Sequence, residues 1–139
     1  MGEFYDVYEN TVRLAETDAT GILFFGTYTV YMDEALIEYF DEIGFGRETT
    51  FERGWNLAIV NVELDFRSYT DFGDRIVNQF RVSELGEKSF TGEYRARSAE
   101  DDELLAEGSI TSVIIDESGD PIAVPDELRE AITRYQDGI

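Results

Sequence analysis

Residues 16–40, ETDATGILFFGTYTVYMDEALIEYF, decide how this chain is read. From Tyr28 the apolar positions Tyr28, Tyr31, Met32, Ala35, Leu36, Tyr39, Phe40 and Ile43 recur at three- and four-residue steps, with Asp33, Glu34, Glu38, Asp41 and Glu42 mostly opposite. That spacing puts one apolar stripe on an amphipathic helix. Gly44 or Gly46 is its stop, since helices commonly end on a left-handed residue that glycine adopts at little cost. The start is less sharp, with Gly26 and Thr27 inside or just before the opening turn. Ahead of it, Thr17, Asp18, Thr20 and Gly21 are turn formers, so an isolated carboxylate sits in a turn that feeds a long helix.

Working outward, FYDVYENTVRL (4–14) is rich in β-branched and aromatic residues and predicts a first strand. Beyond the helix, RETTFERGWN (47–56) shows no clear period. The pattern then turns to β in LAIVNVELDFRSY (57–69), RIVNQFRVSEL (75–85), KSFTGEYRARSA (88–99) and ELLAEGSITSVIID (103–116). TDFGD, ELGEK, AEDDE and DESGD separate and follow these runs with turn chemistry, so the expectation is an antiparallel meander of four strands. PDELREAITRYQ (125–136) opens on proline and carries Leu128, Ile132 and Tyr135 on one face, the pattern of a short helix. One strand, one long helix and four strands make an α+β plan in which the helix covers a face of the sheet. Residues 1–139 are read as a single domain with no repeat or linker.

Composition limits the chemistry. With no cysteine and no histidine, disulfides, thiolate nucleophiles, Ser-His-Asp devices and the commonest metal ligand are excluded. Acid/base or nucleophilic work falls to carboxylates, tyrosines, hydroxyls, the single Lys88 or backbone amides. Thirty-one acids against eleven bases give a net charge of −20, spread along the chain. Such a surface is a poor partner for nucleic acid. It repels itself in dilute buffer and is screened at high ionic strength, which points to a salt-rich cytosol such as that of halophilic archaea. No apolar run is long enough to cross a bilayer, so no membrane association and a cytoplasmic location are expected. The carboxylates of EDDE (100–103) lack the glycine and alternating ligands of a calcium loop and read as a solvated hairpin tip.

Three stretches carry a resemblance. TDATGILFFGTYTVYMDEALIEYF is similar to a pattern of Asp, Gly three residues later, an apolar and aromatic run, Tyr and an amphipathic helix. VNVELDFRSYTDFGD looks like a strand, bend and closing Gly-Asp, and GEKSFTGEYRARSAEDDELLAEGSITSVIID with GDPIAVPDEL like two final strands and a proline-containing exit. In this order they resemble the hotdog-fold thioesterases, in the branch of 4-hydroxybenzoyl-CoA thioesterase and related acyl-CoA thioesterases, over nearly the whole chain.

The resemblance implies a hotdog fold, an antiparallel sheet wrapped around one long helix. It also implies hydrolysis of an acyl-CoA to free acid and CoA, with no separate cofactor because coenzyme A is part of the substrate. By the same likeness Asp18 is the nucleophile or general base, and the backbone amide of Phe25, where many relatives have Tyr or His, polarises the carbonyl. Gly21 permits close approach, Tyr28 matches a tyrosine at the helix start, and Lys88 and Ser89 match a basic or polar pair after a hairpin. Relatives form dimers or tetramers with sites at subunit junctions, so a homodimer or homotetramer is expected.

The chemistry agrees with the likeness. Thiolate leaves readily, so a carboxylate and amide donors at a helix start suffice without histidine. Phosphates on CoA call for local positive charge, and Arg67, Arg95 and Arg97 are further candidates. Asp18 read without the likeness is a turn or helix cap. Glu34 or Glu38 on the helix is a second candidate carboxylate, and a non-catalytic acyl-CoA-binding or dimerisation module is the competing kind of function.

Overall fold

In the computed structural model, which describes residues 3–136 and 139, the long helix lies across one face of a five-stranded antiparallel sheet. The strands are β1 (Tyr5–Thr11), β2 (Trp55–Phe66), β3 (Arg75–Leu85), β4 (Ser89–Ser98) and β5 (Leu104–Asp116). The helices are α1 (Thr27–Glu42), α2 (Arg47–Arg53) and α3 (Asp126–Tyr135). No helix among the described residues is long and apolar enough to cross a membrane.

Helix α1 buries the expected stripe, Tyr28, Tyr31, Met32, Ala35, Leu36, Tyr39 and Phe40. These side chains meet the inner faces of β3 and β4, where Ile76, Phe80, Val82, Phe90, Tyr94 and Ala96 are buried at every second position. Period two on the strands and period 3.6 on the helix thus present complementary apolar surfaces, and removing them from water is the main driving force. Gly92 makes room beneath Phe80: a Cβ there would come within 2.1 Å of the ring.

Three sequence expectations need correction. The first strand stops at Thr11, and Leu14–Glu16 form a 3-10 turn. RETTFERGWN contains α2, a short helix bounded by Gly46 and a left-handed Gly54 and burying only Thr50; two turns are too few for a period to show. The four later strands are not a simple meander, because the sheet order is β1-β3-β4-β5-β2. Strands β3, β4 and β5 are joined by hairpins, but β2 pairs with β5 at the far edge. The chain between β2 and β3 is held elsewhere: the Leu23 amide donates to Thr70 O at 2.7 Å and the Gly73 amide to Val12 O at 2.9 Å. Those bonds carry it across to β1 instead of letting it turn back on β2.

The hairpin tip at 100–103 is exposed, and Asp102 takes a positive φ of 61° there. Helix α3 is latched from below by Gln136. Its amide accepts from the Val82 amide at 2.9 Å, donates to Val82 O at 2.6 Å and accepts from Tyr39 Oη at 2.5 Å.

Candidate active site

The segment between β1 and α1 closes on itself as a small loop. Asp18 and Ile22 face each other, with the Asp18 amide donating to Ile22 O at 2.7 Å, and Thr17 bridges Leu23. Gly21 has φ 82°, the left-handed backbone that turns the chain within this loop. Glu16 ties the loop to the helix. Its carbonyl accepts from the Phe24 amide at 2.9 Å and from Thr27 Oγ1 at 3.3 Å, and its carboxylate accepts from Tyr31 Oη at 3.0 Å and from the Arg13 amide at 2.8 Å.

Asp18 is exposed, and its carboxylate is held by one oxygen. Oδ1 accepts from Thr20 Oγ1 at 2.6 Å, from the Thr20 amide at 2.8 Å and from the Ile22 amide at 3.3 Å. Oδ2 accepts nothing among the described residues. The Thr20 hydroxyl first, and then the Thr20 and Ile22 amides, hold the carboxyl below the usual aspartate range. The side chain therefore shapes its turn, as the residue type alone suggests, and still presents a free anionic oxygen.

The helix start supplies unpaired donors. The Thr27, Tyr28 and Thr29 amides donate to Phe24, Phe25 and Gly26 carbonyls, whereas the Phe25 and Gly26 amides donate to nothing among the described residues. They sit at the positive end of the helix dipole. Tyr28 is buried and its hydroxyl lies 2.8 Å from Thr70 Oγ1; burial raises its pKa. Phe25 is 64% exposed, against Phe24 and Phe66, which are also half exposed, so an aromatic surface flanks the loop.

Asp18, Gly21, Phe25 and Tyr28 are thus together in one loop and helix start. Lys88 and Ser89 are not. They lie at the β3–β4 hairpin, at the opposite end of strands whose other end adjoins Asp18 through Thr70 and Asp71. Among the arginines considered, Arg67 pairs with Glu107 at 3.0 Å, Arg97 reaches Gln79 at 3.2 Å and Arg95 stacks over Phe4. Glu34 is half-buried and Glu38 exposed on α1. Glu16, Thr20 and Thr70 also shape the site; the sequence marks Thr20 and Thr70 only as parts of the turn-forming stretches ETDATG and TDFGD, with nothing to join Thr70 to Tyr28. A cavity of about 270 Å³ lies between α1, α2 and β2, lined by Leu36, Ile37, Phe40, Phe45, Leu57 and Ile59 with Asp33 and Arg47 among its polar groups.

A five-stranded antiparallel sheet wrapped on one long helix is the hotdog arrangement. The chain belongs to the thioesterase-like superfamily, whose family model matches residues 12–132. It is 27% identical over 116 residues to a 1,4-dihydroxy-2-naphthoyl-CoA hydrolase of Synechocystis, covering 83% of each chain. It superposes with a TM-score of 0.80 on a gentisyl-coenzyme A thioesterase at 26% identity, covering 91% of this chain and 98% of that one. A Thermus thermophilus protein described as hypothetical superposes with a TM-score of 0.86 at 25% identity, covering 94% and 98%.

Proposed function

We propose that this thioester hydrolase acts on acyl-CoA, with aromatic acyl groups as its preferred class, and that Asp18 is the catalytic carboxylate. The observation that carries the reading is the clamped Asp18 with Oδ2 free, in the same closed loop as the unpaired Phe25 amide. In this mechanism Oδ2 attacks the thioester carbonyl carbon, and the developing oxyanion is met by the Phe25 amide. CoA thiolate leaves, and water hydrolyses the resulting anhydride to the free acid and regenerated Asp18. The general-base route, in which Oδ2 takes a proton from the attacking water, uses the same residue. The side chain of Phe25 bears on the acyl group, while the amide role is independent of its identity. Gly21 lets the chain approach substrate closely, and Tyr28 anchors the helix start.

The aromatic preference is supported by Phe24, Phe25 and Phe66 beside the loop and by the aromatic acyl-CoA substrates in the names of the two relatives. Assembly as at least a homodimer is supported by β2, a twelve-residue edge strand with Ile59, Val60, Val62 and Phe66 exposed. An antiparallel two-fold pairing along β2 would bring the second copy's Lys88 and Ser89 end alongside this copy's Asp18 end, where they would meet the CoA moiety. The −20 charge suits a salt-rich cytosol, where pantetheine burial outweighs attraction of phosphates.

Thiol release from a panel of short, long and aromatic acyl-CoAs in high salt tests the substrate assignment. Aromatic CoA thioesters should show the highest kcat/KM; turnover confined to aliphatic chains would overturn it.

A further inference from the structure

Asp18 accepts three hydrogen bonds on Oδ1 and none on Oδ2 among the described residues, and the shortest comes from a side chain, Thr20 Oγ1 at 2.6 Å. Backbone amides at 2.8 and 3.3 Å would form an ordinary aspartate turn without it. The hydroxyl adds something an amide-only turn lacks: a second fixed donor from the same residue, so that Thr20 grips Oδ1 from its main chain and its side chain at once. A carboxylate held this way cannot rotate to exchange its two oxygens without breaking all three bonds.

We infer that Thr20 is a positioning residue for Asp18: its hydroxyl fixes the carboxylate rotamer and so makes Oδ2 the reacting oxygen. The inference rests on the assignment of Asp18 as the catalytic carboxylate. Thr20 touches neither the acyl group nor the thiolate and acts only through Asp18. The charged residues nearest this turn are Glu16, two residues earlier and paired with the Arg13 guanidinium at 3.5 Å, and Asp71, whose backbone bridges Ile22. Glu16 is engaged by Tyr31 and the Arg13 amide. The lowered pKa of Asp18 comes from hydrogen bonds, with no neighbouring charge among its causes, so the Thr20 hydroxyl is a lever on both the orientation and the proton affinity of Asp18.

The test compares native enzyme, Thr20→Val, which keeps the shape and loses the hydroxyl, and Thr20→Ser, which keeps the hydroxyl, all in high salt. Thr20→Val should lower kcat about tenfold with KM within about twofold of native, because the group lost serves attack and not binding. The Asp18 carboxyl, followed by carbon-13 NMR, should titrate at higher pH than in the native enzyme, because the Thr20 hydroxyl that holds it down is gone. Thr20→Ser should restore both. Native kcat and native Asp18 titration in Thr20→Val would overturn the inference, as would a kcat loss that Thr20→Ser leaves unrepaired. Asp18→Asn run in parallel separates the two levels: if it is inactive and Thr20→Val is native-like, only the Thr20 inference fails; if Asp18→Asn turns over normally, the assignment of Asp18 fails and the inference with it.

Discussion

Tyr28 at the start of α1 and Thr70 in the crossover before β3 share a buried hydrogen bond, Oη to Oγ1 at 2.8 Å, and Thr70 O also accepts from the Leu23 amide at 2.7 Å. One residue of the crossover therefore grips both the helix start and the loop that carries Asp18. Removing either hydroxyl leaves the other buried without its partner, at a cost of about 1–2 kcal/mol. Tyr28→Phe and Thr70→Val should each lower the denaturation midpoint accordingly. The double variant should lose less than the sum of the two, because it strands no hydroxyl. Additive losses in a double-mutant cycle would show that the bond contributes nothing.

Gln136 replaces the missing regularity of β3, whose register shifts between Val82 and Glu84. Its side-chain amide satisfies both polar groups of Val82 and the buried Tyr39 hydroxyl. Gln136→Leu should therefore cost about 3 kcal/mol, since three buried groups lose partners together. Urea denaturation in high salt reads this directly, and a loss under about 1 kcal/mol would contradict the latch.

The tyrosines give the protein an alkaline limit. Burial first, then the hydrogen bond and charge of Glu34, push the Tyr8 phenol up to about 12. Burial likewise raises Tyr28, Tyr31, Tyr39 and Tyr94. Each folded pKa exceeds its unfolded value, so the native state holds these protons more tightly. That stability is complete below about pH 10 and is lost as pH rises toward and through the folded values. Denaturant midpoints should be flat from pH 8 to about 10 and fall steeply by about 12; Tyr8→Phe should soften the fall.

Strand β2 makes assembly testable. A lysine at Val60 sets charge on the exposed edge and should prevent strand pairing between copies. Light scattering after gel filtration in high salt should show Val60→Lys as a monomer and the native protein as a dimer or larger. The monomer should also lose most turnover, if the second copy supplies Lys88 and Ser89. A native protein that is itself monomeric would contradict this part of the account.

What the sequence made legible follows from the range of the interactions. Helix α1 is readable because its stripe repeats within each turn, and Asp18 stands out because its turn lies beside that stripe. The place of β2 is not readable, since pairing with β5 joins residues such as Trp55 and Asp116 that are far apart in the chain. Thr70 is invisible for the same reason: nothing near it in sequence announces Tyr28. The resemblance groups Lys88 and Ser89 with Asp18, yet within one copy they lie at opposite ends of β3 and β4. Thr20 was legible as a turn former, but its grip on Oδ1 depends on the rotamer of Asp18.

The central claim is that Asp18 performs the chemistry and does not merely shape its turn. Thiol release from an aromatic acyl-CoA by Asp18→Asn, beside the native protein and with binding of a non-hydrolysable CoA thioether measured in both, tests it most directly. The account predicts a fall in kcat of at least about a thousandfold with binding nearly unchanged. Turnover in Asp18→Asn within about tenfold of native would contradict it and leave Asp18 a structural cap.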